Sequence, residues 1–161
     1  RFATGLGLPY GNSTVMPFEK SYFAGGANGL RGWQARDLGP GSFAGPNNFD
    51  QIGDIRLEAN IEARFEIISF FEGAAFVDAG NIWLTKNDSL RPGAVFEFED
   101  FLSEIALDAG IGLRLNFNFF IIRLDAAVPV TSPSNVYGKR WVLGNSKAED
   151  INYNIGIGYP F

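Results

Sequence analysis

The sequence has neither cysteine nor histidine among its 161 residues. Without these residue types the chain has no disulfide framework, thiolate nucleophile, imidazole base or Cys/His zinc site. No run of 18 or more residues is free of charge, which excludes a transmembrane helix. Acidic residues outnumber basic ones by 18 to 13, and the net charge of −5 argues against a nucleic-acid partner.

Motifs typical of enzymes are missing as well. There is no Gly-x-Ser-x-Gly and no P-loop, and the pair Gly110 and Gly112 lies within a predicted strand, the wrong context for dinucleotide binding. Three carboxylates share one face of a predicted strand and suggest a cation site: Asp54, Glu58 and Glu62. Because Arg56 and Arg64 lie among these carboxylates on the same face, a charge-balanced face is the preferred interpretation. We therefore expect no enzymatic activity, no metal and no cofactor.

Apolar residues make up 46% of the sequence, and they alternate with polar ones. Between residues 53 and 67, the odd positions after Gly53 are apolar and the even positions are polar or charged. These even positions are Asp54, Arg56, Glu58, Asn60, Glu62, Arg64 and Glu66. A period of two predicts a β-strand with one apolar and one charged face. The segment exceeds the roughly 5–6 residues of a soluble strand and reaches the roughly 9–11 of a membrane-spanning one.

The same alternation predicts five further strands, at residues 2–8, 71–83, 104–119, 122–128 and 151–161. The apolar positions change from odd to even between the third and fourth of these, which indicates a turn. Long connections at 10–52, 84–103 and 132–150 alternate with short turns near 68–70 and 116–118. Long loops on one side and short turns on the other are typical of outer-membrane barrels.

The predicted fold class is therefore all-β, a transmembrane antiparallel β-barrel. A soluble antiparallel sheet is the alternative, which the length of the strands disfavours. Six strands are too few to close a barrel, and open sheet edges cannot face lipid. The sequence also starts at Arg1 without a signal peptide. We expect residues 1–161 to be the C-terminal part of a longer barrel, with further strands upstream.

Residues 17–41 contain an unusual glycine-rich motif, PFEKSYFAGGANGLRGWQARDLGPG. Its characteristic residues are Phe23, Gly25, Gly26, Arg31, Gly32 and Trp33. The segment resembles the sixth extracellular loop of the BamA/TamA superfamily of outer-membrane insertases and translocases, also called bacterial surface antigens. In that loop a Phe/Tyr-x-Gly-Gly stretch precedes an Arg-Gly-aromatic tripeptide, in which Phe is commoner than Trp. The resemblance is closest to the TamA-related, lipoprotein-type branch and extends over essentially the whole chain.

The resemblance implies how the loop is held. In the family the loop, here residues 10–52, folds back into the barrel lumen, where its arginine contacts two carboxylates. The matching positions are Glu62 and Asp78, the latter within the aromatic-x-Asp-x-Gly stretch Phe76–Gly80, and strand parity puts both on the charged face. An arginine fork can bond two carboxylates, so Arg31 is expected to fix the loop. A flexible surface loop with an incidental Arg-Gly pair is the alternative.

The end of the last predicted strand, 151–161, resembles the C-terminal targeting signal of outer-membrane barrels. The residues that match this signal are Asn154, Gly156, Tyr159 and Phe161. Strand parity places Tyr153, Tyr159 and Phe161 on the outward face. Pro160 lacks an N–H group and suits an edge strand. The alternative is an ordinary amphipathic strand that ends in phenylalanine.

The resemblance implies a sixteen-stranded barrel that inserts or translocates proteins at the bacterial outer membrane through a lateral seam between its first and last strands. The expected partners are outer-membrane lipid, substrate proteins that are inserted or exported, and periplasmic or inner-membrane subunits. Two alternatives stay open. One is a passive porin-like channel, which a charged lumen also suits, and the other is a barrel that exports a fused passenger domain.

Overall fold

A computed structural model describes residues 1–13, 15–44, 51–117, 119–134, 140–145 and 147–161. These residues form one antiparallel sheet of six strands. The strands are β1 (Phe2–Leu6), β2 (Ile55–Ile68), β3 (Phe71–Trp83), β4 (Ala106–Asn116), β5 (Ile121–Thr131) and β6 (Asn152–Ile157). Short 3₁₀ turns occupy Phe18–Lys20, Leu143–Asn145 and Ala148–Asp150. Within the described ranges, no helix has the length and apolar character needed to cross a membrane.

Each strand pairs with the next one along the chain, so the sheet is a meander in the order β1 to β6. The predicted all-β antiparallel arrangement of six strands is thereby confirmed. The connections run through residues 7–54, 69–70, 84–105, 117–120 and 132–151, so that long and short ones alternate. The turn predicted at 116–118 starts slightly later, because Asn116 is the last residue of β4. Position 118 itself lies outside the described residues.

The sheet exposes apolar side chains and buries charged ones. On β2, Glu58 and Asn60 are each 1% exposed, whereas Ile61 is 76% exposed. The buried charged residues of β4 and β5 are Asp108, Arg114, Arg123 and Asp125. In water the hydrophobic effect favours the opposite distribution. Strands β2 to β5, of 11 to 14 residues, with an outward apolar face instead suit a hydrocarbon surrounding.

The connection between β1 and β2 covers the polar face of the sheet. Two isolated bridges organise it, one between Ala24 and Leu38 and one between Tyr22 and Gly53. A small apolar core joins this connection to the sheet, formed by Ala24, Leu30, Leu38, Ile82 and Ala106. The partly buried Trp33 packs against this core. The central part of the long loop is therefore packed on the sheet, which disfavours the alternative of a flexible surface loop.

The two terminal strands are shorter than predicted. β1 ends two residues early, at Leu6, and β6 ends at Ile157 instead of Phe161. In β6 the cause is Gly158, whose φ of +84° takes the chain out of the extended region. The prediction of one strand through 151–161 is therefore wrong after Ile157.

The residues after β6 turn toward the polar face. The centroid of the Tyr159 ring lies 4.0 Å from Cζ of Arg64, a residue of the charged face of β2. The centroid of the Phe161 ring lies 6.0 Å from Cζ of Arg31. The parity prediction that Tyr159 and Phe161 face outward is therefore wrong, whereas Tyr153, within β6, is 72% exposed on the apolar face.

Candidate functional site: a loop docked on the polar face

Tight turns in the long loop bring Arg31 to the polar face of the sheet. Gly25 and Gly26 have φ values of +91° and +89°, which residues with a side chain rarely adopt. A Cβ on Gly25 would lie 2.1 Å from the carbonyl oxygen of Gln34, so only glycine fits this chain crossing. The N–H of Gly26 donates a 2.9 Å hydrogen bond to the carbonyl oxygen of Trp33, which closes the loop around Arg31.

Arg31 is 1% exposed and bonds two carboxylates at once. Its Nε and Nη2 atoms lie 2.8 and 3.0 Å from the two carboxylate oxygens of Asp78. Its Nη1 atom lies 2.6 Å from Oε2 of Glu62. The structure thus brings together the three residues that the loop motif and strand parity had associated. Charge-assisted bonds of this bidentate kind fix orientation as well as supplying energy.

The guanidinium of Arg31 also stacks on an aromatic ring. Its Cζ lies 3.3 Å from the ring centroid of Phe76, which is 4% exposed and lies two residues before Asp78 on the same face of β3. A cation over an aromatic face is stabilised more strongly when both are shielded from water. The Phe76 ring lies against the face of the guanidinium, and the carboxylates bond to the N–H groups at its edge. Arg31 is therefore held in one orientation.

Glu62 connects Arg31 to a larger ion network. Its carboxylate oxygens accept hydrogen bonds from Arg114 Nη2 at 3.0 Å and from Arg64 Nε at 2.7 Å. Arg114 also bonds Asp125 at 2.5 Å, and Asp125 lies 3.7 Å from Nη1 of Arg31. The network ties the loop to β2, β3, β4 and β5. Removing one charge from such a buried network leaves the others uncompensated.

Two further contacts fix the backbone of the loop motif. The N–H of Gly32 donates a 2.9 Å hydrogen bond to Oδ2 of Asp108, and a Cβ on Gly32 would lie 2.5 Å from the Cβ of Asp108. The amide of Asn60 donates to the carbonyl oxygen of Gly29 at 2.9 Å and to Oδ1 of Asp78 at 3.0 Å. Glycine at these positions permits the backbone to approach the sheet closely.

The last strand contacts the loop as well. The side-chain amides of Asn152 and Asn154 donate hydrogen bonds of 2.8 and 2.9 Å to the carbonyl oxygen of Arg31. Gly156, next on the same face, leaves room for the guanidinium of Arg123, because a Cβ there would lie 2.4 Å from Nε of Arg123. Two of the four predicted signal residues therefore belong to the loop site, and the two aromatic ones lie beyond the strand.

Several residues of the site were not predicted as partners of the loop: Asn60, Asp108, Arg114, Asp125 and Asn152. Strand parity carries the signal that could have found them, since all of them alternate with apolar neighbours on the charged face. Which of them would meet the loop depends on strand register. The register places Asp78 opposite Asp108, and the loop crosses the sheet at that pair.

The arrangement holds the loop in place through paired charges. The arginines that interleave with the carboxylates of β2 pair with them, Arg56 with Glu58 at 2.5 Å and Arg64 with Glu62 at 2.7 Å. In the part of the chain that the structure describes, no three carboxylates are grouped so as to hold a metal ion. The site fixes the loop backbone around Arg31 against five of the six strands, β2 to β6.

A meander of long antiparallel strands with an apolar face toward the surroundings and a charged face under a docked loop is the arrangement of an outer-membrane β-barrel. A family model described as the Omp85 superfamily domain matches residues 1–161. The chain therefore belongs to the Omp85 superfamily of outer-membrane proteins, and membership supports a general role in protein insertion or translocation. No curated protein matches the chain.

Proposed function

We propose that the chain is the C-terminal part of a sixteen-stranded outer-membrane barrel that inserts or translocates proteins, of the BamA/TamA type and nearest to its TamA-related branch. The observation that carries this proposal is the docked loop, in which Arg31 bonds Glu62 and Asp78. A passive channel needs only a charged, water-filled lumen. A loop fixed by a buried arginine fork across several strands is a feature that such a channel does not require.

The mechanism we propose is mechanical and involves no covalent step. The seam lies between β6 and the first strand of the full barrel, upstream of this chain. When it opens, a substrate strand pairs with the exposed backbone edge by β-augmentation, while lipid near the seam is thinned. β6 has six residues and contains Gly156, and glycine within a strand weakens it, so this edge separates at modest cost. Membrane lipid and the substrate proteins are the partners, together with periplasmic or inner-membrane subunits.

A reversible lock on the seam tests this mechanism in the full-length protein. Ile155, 75% exposed on β6, is replaced by cysteine and paired with a cysteine on the first barrel strand. The oxidised barrel should assemble normally and fail to insert substrate proteins into lipid vesicles, and reduction should restore insertion. The single variant Ile155→Cys is the control. Equal activity of the locked and reduced barrels would contradict a lateral seam.

Two further measurements separate the alternatives. A large, steady ion conductance of the full-length barrel in a planar bilayer would favour a porin. Polypeptide-transport-associated repeats in the sequence upstream would favour the insertase, whereas a hydrolase domain there would favour a barrel that exports a fused passenger.

A further inference from the structure

The carbonyl oxygen of Arg31 receives two hydrogen bonds from the last strand. The donors are the side-chain amides of Asn152 and Asn154, at 2.8 and 2.9 Å, from residues more than a hundred positions further along the chain. Both lie on one face of β6, because residues two apart on a strand point to the same side. A carbonyl oxygen has two lone pairs, and here both are used by the same strand.

The position of this carbonyl oxygen is set by the docking of the loop. The side chain of Arg31 is held by Glu62 and Asp78, and the next N–H group, of Gly32, is held by Asp108. None of these partners belongs to β6. The charged anchors on β2, β3 and β4 therefore hold the motif where its carbonyl oxygen meets Asn152 and Asn154.

A third contact runs between the loop and the neighbourhood of β6. The side-chain oxygen of Asn28, three residues before Arg31, accepts a hydrogen bond from Arg123 of β5. The guanidinium of Arg123 lies beneath Gly156, where a side chain on β6 would collide with it. The polar face of β6 is thus shaped to the loop along three successive inward positions, 152, 154 and 156.

We propose that Asn152 and Asn154 are positioning residues that couple the docked loop to the last strand, so that β6 is held while Arg31 is docked and is freed when it undocks. This inference rests on the proposed function, because β6 borders the proposed seam. Within the described residues β6 pairs through a backbone ladder with β5 alone, from Ala127 opposite Asn152 to Ile122 opposite Ile157. The two side-chain bonds to a fixed carbonyl add to the six residue pairs of this short ladder.

The coupling acts in both directions. If docking of the loop stabilises β6 on the sheet, then β6 on the sheet stabilises the docked loop by the same factor. Loss of the two amides should therefore loosen the loop as well as the strand. Loss of the Arg31 side chain should loosen β6, although its ion partners Glu62 and Asp78 lie on other strands.

The test measures amide hydrogen exchange in the full-length protein in lipid vesicles, without substrate. A net hydrogen bond changes an equilibrium about fivefold, so losing both should speed exchange in β6 about twenty-five-fold. We expect this for the double variant Asn152→Ala/Asn154→Ala, together with faster exchange in residues 24–41. The matched control is Asn87→Ala, on an exposed connection, which should leave β6 unchanged. Asn154→Ala alone keeps one bond and should increase the exchange rate in β6 by a smaller factor. This single variant tests the proposal if the double variant does not assemble.

The coupling itself is tested by combining variants. Arg31→Ala and the double asparagine variant should each speed exchange in β6, and together they should add little, because both break the same link. Additive effects, or unchanged exchange in β6 in the asparagine variants, would overturn the proposal. Because exchange is read without substrate, this outcome is distinguishable from failure of the seam mechanism, which the disulfide lock tests by insertion activity.

Discussion

The backbone N–H of Gly32 donates a hydrogen bond to Oδ2 of Asp108 at 2.9 Å, and the Cα of Gly32 faces the Cβ of that aspartate so closely that a methyl group there would lie 2.5 Å from it. This contact anchors the loop to β4, while the neighbouring Arg31 anchors it to β2 and β3. The glycine of the Arg-Gly-aromatic motif thus permits the loop backbone to approach the sheet closely.

Gly32→Ala should disrupt this anchor. The added methyl group meets Asp108, so the loop must shift and the hydrogen bond must lengthen; overpacking of this kind costs about 1–3 kcal/mol. The measurement is the free energy of unfolding of the full-length protein in urea. Gly144→Ala is the matched control, because a Cβ there meets nothing within 4 Å. Equal effects of the two substitutions would contradict the proposed contact.

Asp108 should respond differently to two substitutions. It lies opposite Asp78 on the neighbouring strand, and like charges directly opposite each other are destabilising. Asp108→Asn keeps an oxygen acceptor for the N–H of Gly32 and cannot carry a charge beside Asp78, so we expect a barrel at least as stable as the wild type. Asp108→Ala leaves that buried N–H without its acceptor and should cost about 1–3 kcal/mol. Unfolding in urea distinguishes the two, and equal losses would show that the charge itself is required.

Arg31→Ala should be among the most destabilising single changes in the chain. It leaves Glu62 and Asp78 buried without their shared cation, and breaking a buried ion pair in this way costs about 3–5 kcal/mol. Arg31→Lys keeps the charge but loses the bidentate fork, so an intermediate loss is expected. The control is Arg91→Ala, which breaks a partly exposed pair with Asp88 and should cost at most about 1 kcal/mol. Similar unfolding free energies for Arg31→Ala and Arg91→Ala would refute the structural role of Arg31.

The bounds of β2 and β3 could be predicted closely because a two-residue period changes abruptly where a turn begins. The end of β6 could not, because the apolar and polar residues continue to alternate through Phe161 while Gly158 leaves the extended region. Alternation reports which face a residue would occupy in a strand, and it carries no information on whether the backbone stays extended. The turn toward the polar face at Tyr159 follows from the positive φ of Gly158. The alternation of apolar and polar residues gives no sign of this backbone angle.

The candidate site likewise contains residues that the sequence predicts and residues that it does not. Arg31, Glu62 and Asp78 could be named because the motif resemblance supplied the pairing and strand parity agreed with it. The bonds from Asn152 and Asn154 end on a backbone carbonyl, which every residue has, so no pattern of side chains points to it. Such contacts depend on strand register and on the path of the loop across the sheet, both of which are set by tertiary packing.

The long connections should lie outside the cell and the short turns in the periplasm. Leu90, in the connection 84–105, is 83% exposed, and Phe119, in the turn 117–120, is 86% exposed. Since residues 1–161 contain no cysteine, a cysteine introduced at either position is the single thiol of this segment. Leu90→Cys should react with a membrane-impermeant reagent on intact cells. Phe119→Cys should react only after the outer membrane is permeabilised, and the reverse pattern would invert the orientation.

The apolar face should contact lipid along the middle of the strands. The residues predicted to do so are Leu57, Ile61, Leu107, Ile111 and Leu124. Ile111 lies midway along β4, opposite Ala75 and Ala126, and is 69% exposed. Ile111→Arg should cost about 2–4 kcal/mol in vesicles, as charges near a bilayer midplane do. Leu90→Arg, on an exposed connection, is the control, and an equally small effect of both would place β4 outside the membrane.

Phe161 should matter more for assembly than for the stability of the finished barrel. Its position matches the final aromatic residue of the targeting signal, yet it lies beyond the end of β6 and is 41% exposed. A side chain outside the strand ladder contributes little to the folded sheet, so Phe161→Ala should change the free energy of unfolding by less than about 1 kcal/mol. Membrane assembly of the full-length protein in cells should nevertheless fall clearly below that of Phe98→Ala, a control that removes an aromatic side chain 79% exposed on a long connection. The two measurements must be made on the same variants, because assembly and stability are separate quantities here. A loss of stability in proportion to the loss of assembly would show that Phe161 acts as part of the fold and not as a recognition element.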